Sequence, residues 1–312
     1  MISPMLTHHF LESDASLEKT IEVRETQIPF NEMILSWNGF RPKTGSWSFS
    51  ASLFQDHWSE WLPLAEWGQG RQKTFICDPQ GSFTKSYQDV AIVKSGLCSG
   101  YKIRIRAEDG ATLTTLRSIT VSFGEPSLFV PKPLYDLPSV RLAGVPSMSQ
   151  QILSHPRAKD LCSPTSVTSA INFLLKNRST DPVLFAEQAC DQSFDIYGNW
   201  ILNTAAAFEA LQGNYQTYVA RLPDFGAIHA QLTKGLPVVV SVKGPLLGAP
   251  LPYANGHLIL VTGYDQKARQ VLCMDPAYPT DEQTLTSYPL DEFLIAWTVR
   301  RMNLAYLFEK KV

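Results

Sequence analysis

The sequence predicts an all-β antiparallel sandwich followed by an α+β half, on three observations. Short alternating apolar runs fill residues 21–123, a cluster of prolines follows, and helical periodicity appears only beyond it. A chain of 312 residues is also longer than one hydrophobic core usually serves, which favours two folding units.

The elements can be justified in chain order. Residues 1–20 carry no clear pattern and are expected to be a flexible N-terminus. In the next hundred residues Trp47, Phe49, Ala51 and Leu53 alternate with serines, and Tyr101, Ile103 and Ile105 alternate with Lys102, Arg104 and Arg106. Ile119, Val121 and Phe123 repeat the arrangement. Each such strand buries one face. Ile34 to Trp37, Trp61 to Leu64 and Val90 to Val93 complete the strands needed for two packed sheets. Between 124 and 144, Pro126, Pro131, Pro133 and Pro138 remove backbone donors and predict an extended linker, leaving 145–312 as the second unit.

In that unit Val167, Ala170, Ile171 and Leu174 follow i, i+3, i+4, i+7 spacing, so a helix is expected from Pro164 to about Lys176. Asn203 before TAAAFEALQG and Asp224 before FGAIHAQLTKG read as N-caps of two more helices, stopped by Gly213 and Gly235. Strands follow at Pro237 to Val242, His257 to Tyr264 and Gln270 to Met274, the last two joined by a turn at Gly263 to Lys267.

Composition narrows the function classes. A net charge of −2 with scattered Lys and Arg gives no footprint for nucleic acid. No apolar run approaches the roughly 18 residues that span a bilayer. The start, MISPMLTHHFLESD, lacks the pattern of a secretory signal, so a cytoplasmic place or export by another route is expected. Five cysteines at irregular spacing suggest neither a disulfide framework nor a zinc site, and no metal or other cofactor is expected.

Chemistry concentrates at a few positions. Cys162 stands at the start of the predicted helix, where unpaired N–H groups and the helix dipole lower a thiol pKa. A lone cysteine is otherwise a small buried hydrophobe, the reading given to Cys77, Cys98, Cys190 and Cys273. His257, opening its strand after Asn255 and Gly256, is the best placed of six histidines to act as a base, against the plain alternative of a hydrogen-bonded structural residue. Asp275 ends the next strand and comes out on the same rim, able to hold the imidazole or simply to shape a turn. Gln150 or Gln151, a dozen residues before the cysteine, could bring an amide donor to an oxyanion. Trp200 is a candidate wall of the substrate cleft or a core plug.

In this order VPSMSQ, LCSPTSVTSAINFLL, GHLILVTGYD and VLCMDP resemble the blocks of the C39-like cysteine peptidase family, a branch of the papain-like fold. The likeness runs from about Val145 to Val299, and GNW followed by NTAAAFEAL, with the later DEFLIAW, is similar to that family's spacer and terminal elements. The resemblance implies Cys162 as nucleophile, His257 as base, Asp275 as orienting acid and Gln150 as oxyanion donor, with Gln151 in reserve, acting on a peptide or protein substrate. It departs at Ser163, where the family commonly has Gly and where a Cβ could crowd the cleft. The same residues would serve a deamidase or transglutaminase-like acyl transferase. A third reading is an inactive scaffold whose sandwich binds a carbohydrate or protein ligand: Trp37, Trp47, Trp58, Trp61 and Trp67 all lie there, Trp37 and Trp47 reading as core and the other three as either core or ligand contacts.

Overall fold

In the computed structural model, which describes residues 4–134, 136–177 and 179–310, ten strands come first: β1 Met5–Phe10, β2 Glu18–Val23, β3 Glu32–Gly39, β4 Ser46–Phe54, β5 Leu62–Gly68, β6 Arg71–Cys77, β7 Thr84–Gln88, β8 Val90–Val93, β9 Gly100–Glu108 and β10 Leu116–Gly124. They form a single antiparallel sheet in the order β1-β10-β3-β8-β7-β6-β5-β4-β9-β2, not the two separate sheets expected. The sheet continues through β6, which pairs with β5 on one side and β7 on the other, and curls until its halves face each other. Across the enclosed core Trp37 of β3 stacks on Phe49 of β4, with ring centroids 4.3 Å apart. Trp37, Trp47 and Trp67 are fully buried, while Trp58 and Trp61 are half-buried beneath the cations of Lys102 and Arg104.

The expectation of a flexible N-terminus fails at β1, which pairs along its whole length with β10. His8 is held by Thr120 Oγ1 at 2.9 Å and His9 by the Tyr101 hydroxyl at 2.9 Å. Alternation in MLTHHF is masked because both histidines are used as packed, hydrogen-bonded side chains.

The proline-rich stretch also docks. β11, Val140–Arg141, pairs with the strand that carries His257, and His229 bonds the Pro138 carbonyl at 2.7 Å. Beyond it lie α1 Cys162–Leu175, α2 Pro182–Ala189, α3 Trp200–Ala210, β12 Tyr215–Arg221, α4 Phe225–Thr233, β13 Val238–Gly244, β14 Tyr253–Asp265, β15 Gln270–Met274, β16 Leu285–Pro289, α5 Leu290–Leu294 and β17 Leu304–Lys310. A π turn, Ile295–Val299, extends α5. The strands make a second antiparallel sheet in the order β12-β17-β13-β14-β15-β16, with β11 beside β14.

Both faces of this sheet are covered, which explains runs such as VVVSV and HLILV that read as continuously apolar. Val239, Leu258, Leu260 and Tyr306 join the core with α1 and α3, while Val240, Ile259, Val261 and Ala305 pack with Phe225, Ile228, Phe293 and Trp297 on the other face. Asp224 caps α4 as the sequence predicts, accepting from Ala227 N at 3.3 Å. The cap of α3 is Asn199, one turn earlier than expected; Asn203 lies inside the helix and bonds back to the carbonyls of Tyr197 and Asn199.

The hydrophobic core does not divide at the prolines. One cluster runs from Phe30 and Trp37 through Val167 and Ile201 to Phe308. β12 would otherwise expose an unpaired edge, and the curled sheet satisfies it with side chains. Asn38 Oδ1 accepts from Thr217 N at 2.8 Å and its Nδ2 donates to Thr217 O at 3.0 Å, while Ser36 and Ser122 accept from Val219 N and Arg221 N. The serines and asparagine that interrupt apolar alternation in β3 and β10 are thus the contacts that join the two halves.

Candidate active site

Cys162 is the first residue of α1, which is entered at Leu161 without a side-chain cap, so no capping side chain takes up the first backbone N–H groups. Pro164 contributes no N–H and suits the first turn. Ser163 turns inward, its hydroxyl 3.2 Å from that of Tyr306, and its Cβ therefore does not crowd the cleft. Ser166 and Ser169 anchor α1 by donating to the carbonyls of Leu258 and Pro146.

His257 lies inside β14 rather than at its start. The strand begins at Tyr253, and the pairing with β13 slips between Val242 and Gly244, opposite a segment in which Gly256 takes φ +98°. That left-handed bend suits glycine and re-aims the next side chain, His257, toward the cleft. The turn joining β14 to β15 falls at 266–269, beyond the expected Gly263, because Gly263 to Asp265 remain paired with Leu272 to Gln270. Leu260 lies opposite Met274, so Asp275 follows on the rim one same-face step from His257.

The resulting constellation is buried and tightly bonded. His257 Nε2 lies 2.8 Å from Asp275 Oδ1. Asp275 also accepts from Ala277 N at 2.9 Å, Tyr253 Oη at 2.6 Å and Tyr288 Oη at 2.5 Å. The Tyr253 ring stacks on the imidazole with centroids 4.1 Å apart. The sequence reading names neither tyrosine: Asn255 and Gly256 hide the strand that carries Tyr253, and Tyr288 comes from the next strand but one.

Electrostatics follow from these contacts. Burial pushes the Asp275 carboxyl upward, but the charge of His257 and three hydroxyl and imidazole hydrogen bonds hold it below its ordinary value. Burial disfavours the imidazolium, yet Asp275 and Cys162 outweigh it and raise His257 to about 10. Burial likewise acts to raise the Cys162 thiol; the charge and hydrogen bonding of His257, with the backbone at Leu258 and Ser163, bring it below the usual thiol value. Three other cysteines contrast sharply: burial pushes Cys98 to about 12 and Cys190 to about 11, and holds Cys273 well above the usual thiol value. With Nε2 bonded to Asp275, Nδ1 is the nitrogen left for the thiol.

Cys162, His257 and Gln150 line one cleft of about 700 Å³, with Gln151, Lys159, Leu251, Tyr253 and Ala277. Gln150 is buried in a short 3₁₀ turn, its N–H bonded to Pro276 O at 2.9 Å, which ties it to the loop after Asp275. Its Nε2 donates to Lys159 O at 2.6 Å and reaches Ala158 O at 3.2 Å. Gln151 is more exposed, at the same turn. Trp200 does not line this cleft; it opens α3 rather than sitting in a loop, with its N–H bonded to Asp89 Oδ2 at 2.8 Å. Among the described residues all five cysteines are free and no group of three His, Cys, Asp or Glu could hold a metal ion.

The model of the Peptidase_C39 like family matches residues 142–303, which spans every residue of this constellation. The chain belongs to the Peptidase_C39 like family. It is accordingly a cysteine peptidase, and a peptide or protein is its substrate class. Among solved structures it is similar to xylellain, a cysteine protease from Xylella fastidiosa, at 14% identity and a TM-score of 0.37, over 59% of this chain and 91% of that one. No curated protein gives a significant match. Among the described residues, no helix is long and apolar enough to cross a membrane.

Proposed function

We propose that this peptidase cleaves peptide bonds through thiolate attack by Cys162, with His257 carrying the proton and Asp275 holding the ring. The observation that carries this reading is the opposed pair of shifts at a helix start that opens on a cleft: a thiol lowered by His257, and an imidazole raised by Asp275 first and then by Cys162. A thiolate–imidazolium pair is the resting form of such a nucleophile. The thiolate adds to the carbonyl carbon, and the oxyanion is received by the uncapped N–H groups of the helix start and by Gln150. Nε2 of Gln150 carries two hydrogens; Lys159 O takes one, and the oxyanion replaces the longer contact to Ala158 O. The imidazolium then protonates the leaving amine, and water deprotonated by His257 releases the acid. Tyr253 and Tyr288 fix the carboxylate so that the ring keeps one tautomer.

The test is incubation with a denatured cell-protein mixture followed by mass spectrometry of newly formed N-termini, with and without an added amine. New termini that vanish in Cys162→Ala support peptide hydrolysis. Glutamine-to-glutamate conversion or amine incorporation without new termini would transfer the same machinery to deamidation or acyl transfer, and an unchanged mixture would leave the constellation without peptidase work.

A further inference from the structure

Arg301 stands behind Gly256, next to the cleft although not among its lining residues. Its guanidinium carbon lies 3.4 Å from where a Cβ on Gly256 would be, and Gly256 both lines the cleft and precedes His257. Nε donates to Ser241 Oγ at 2.6 Å, and the guanidinium lies over the ring of Trp200, 5.5 Å from its centroid. Among the described residues it forms no ion pair within 4 Å; Asp89 attracts it only at longer range, its Oδ2 accepting from Trp200 N at 2.8 Å. Burial, with the charge of nearby Arg221, lowers its pKa against the pull of Tyr306, Asp89 and Cys162. Keeping a half-buried guanidinium unpaired costs stability, and an Arg whose Nε is tied down presents both terminal nitrogens as a fork for a carboxylate.

We propose that Arg301, seated on Trp200 and Ser241, is a specificity residue that receives a carboxylate of the substrate, either an acidic side chain or the chain's own C-terminus. The inference rests on the function proposed above. It assigns a role to Trp200 as the floor under the guanidinium, and to Asp89, from the curled sheet, as the residue that holds the start of α3 in place.

Three alkylating probes of equal size test it: the amide of N-iodoacetyl-glutamate at its α-carboxyl, N-iodoacetyl-glutamine as the free acid, and N-iodoacetyl-glutamine amide. Rates at Cys162 are read by mass spectrometry. One acidic probe should label about tenfold faster than the neutral one, the scale of a charge-assisted hydrogen-bond pair. Whether it is the side-chain or the terminal acid identifies the source of the carboxylate. In Arg301→Gln the ratio should fall about tenfold from its wild-type value, and Arg301→Lys should keep part of it; any attraction of the acidic probes to His257 is the same in the three proteins and cancels when their ratios are compared. An equal ratio in wild type and Arg301→Gln would overturn the anion site while leaving the nucleophile intact. Neutral-probe labelling of Cys162 no faster than that of Cys77 in mild acid would count against the peptidase mechanism itself, and the anion site with it.

Discussion

Replacement of Asp275 separates the chemical from the structural work of its carboxylate. Four donors converge on it: His257 Nε2, Ala277 N and two tyrosine hydroxyls. In Asp275→Ala all four lose their acceptor in a site with no solvent exposure. At about 1–3 kcal/mol for each buried group left unpaired, and allowing that the two hydroxyls can turn, the loss is about 3–6 kcal/mol. Against a total of about 5–15 kcal/mol this brings the fold near its limit. In Asp275→Asn the amide oxygen can still accept from His257 and Ala277, while its nitrogen donates to the hydroxyls, so stability should fall by only about 1–2 kcal/mol. What Asn cannot supply is charge. His257 then loses the larger of the two attractions that raise it to about 10, and the Cys162 thiol rises in turn. A base raised in the folded state stabilises fully below about pH 6.5 and loses that contribution as pH climbs toward its folded pKa, so the wild-type advantage over Asp275→Asn should be full in mild acid up to about pH 6.5 and fade as pH climbs toward about 10. Urea denaturation across pH, with Cys162 alkylation on the same samples, measures both effects. Wild-type stability in Asp275→Ala, or an unmoved thiol titration in Asp275→Asn, would refute the reasoning.

Three further outcomes follow from the same contacts. Asn38→Leu leaves the N–H and carbonyl of Thr217 unpaired at the junction of the two sheets and should cost about 2–6 kcal/mol in urea denaturation; a loss below 1 kcal/mol would show that the side-chain pairing of β12 matters little. Burial first, then the nearby Asp191, raises Asp89 to about 6 against two backbone hydrogen bonds and Arg301, so its ionisation destabilises the fold as pH rises from 3.8 to about 6. Asp89→Asn keeps an acceptor for Trp200 and should be more stable than wild type at pH 7 by up to about 3 kcal/mol, the difference vanishing near pH 4; a pH-independent difference would contradict this. Gln150→Ala should slow peptide cleavage about 10²–10³-fold with Cys162 alkylation preserved, the signature of a donor used only on the oxyanion; equal losses in both would make Gln150 structural.

Much of the candidate site was legible because its parts mark element boundaries. Cys162 begins α1, and Asp275 follows the last residue of β15. Position within an element was harder to read. His257 looked like a strand opening because Asn255 and Gly256 resemble a turn, whereas Gly256 forms an irregularity inside a longer strand. Tyr288 and Arg301 carry no local signal, since their value depends on register and on a neighbour far along the chain. In the curled sheet, Trp47 and Ile103 could be assigned by alternation. β1, β6 and β7 could not, because their polar residues are consumed by pairing and by contacts between the halves: His8 bonds Gln216, and Thr74 bonds Asp191. The missed helix α2 had its signal in Asp181 before Pro182, an N-cap followed by a first-turn proline.

The most direct measurement of the central claim is the pH dependence of Cys162 alkylation by iodoacetamide in wild type and in His257→Ala, each cysteine followed separately. The thiol should react in wild type well below the titration of an ordinary thiol at about 8.5, and His257→Ala should move that titration upward, since His257 is what lowers it. Superimposable curves for the two proteins would contradict the thiolate–imidazolium pair on which the proposed mechanism stands.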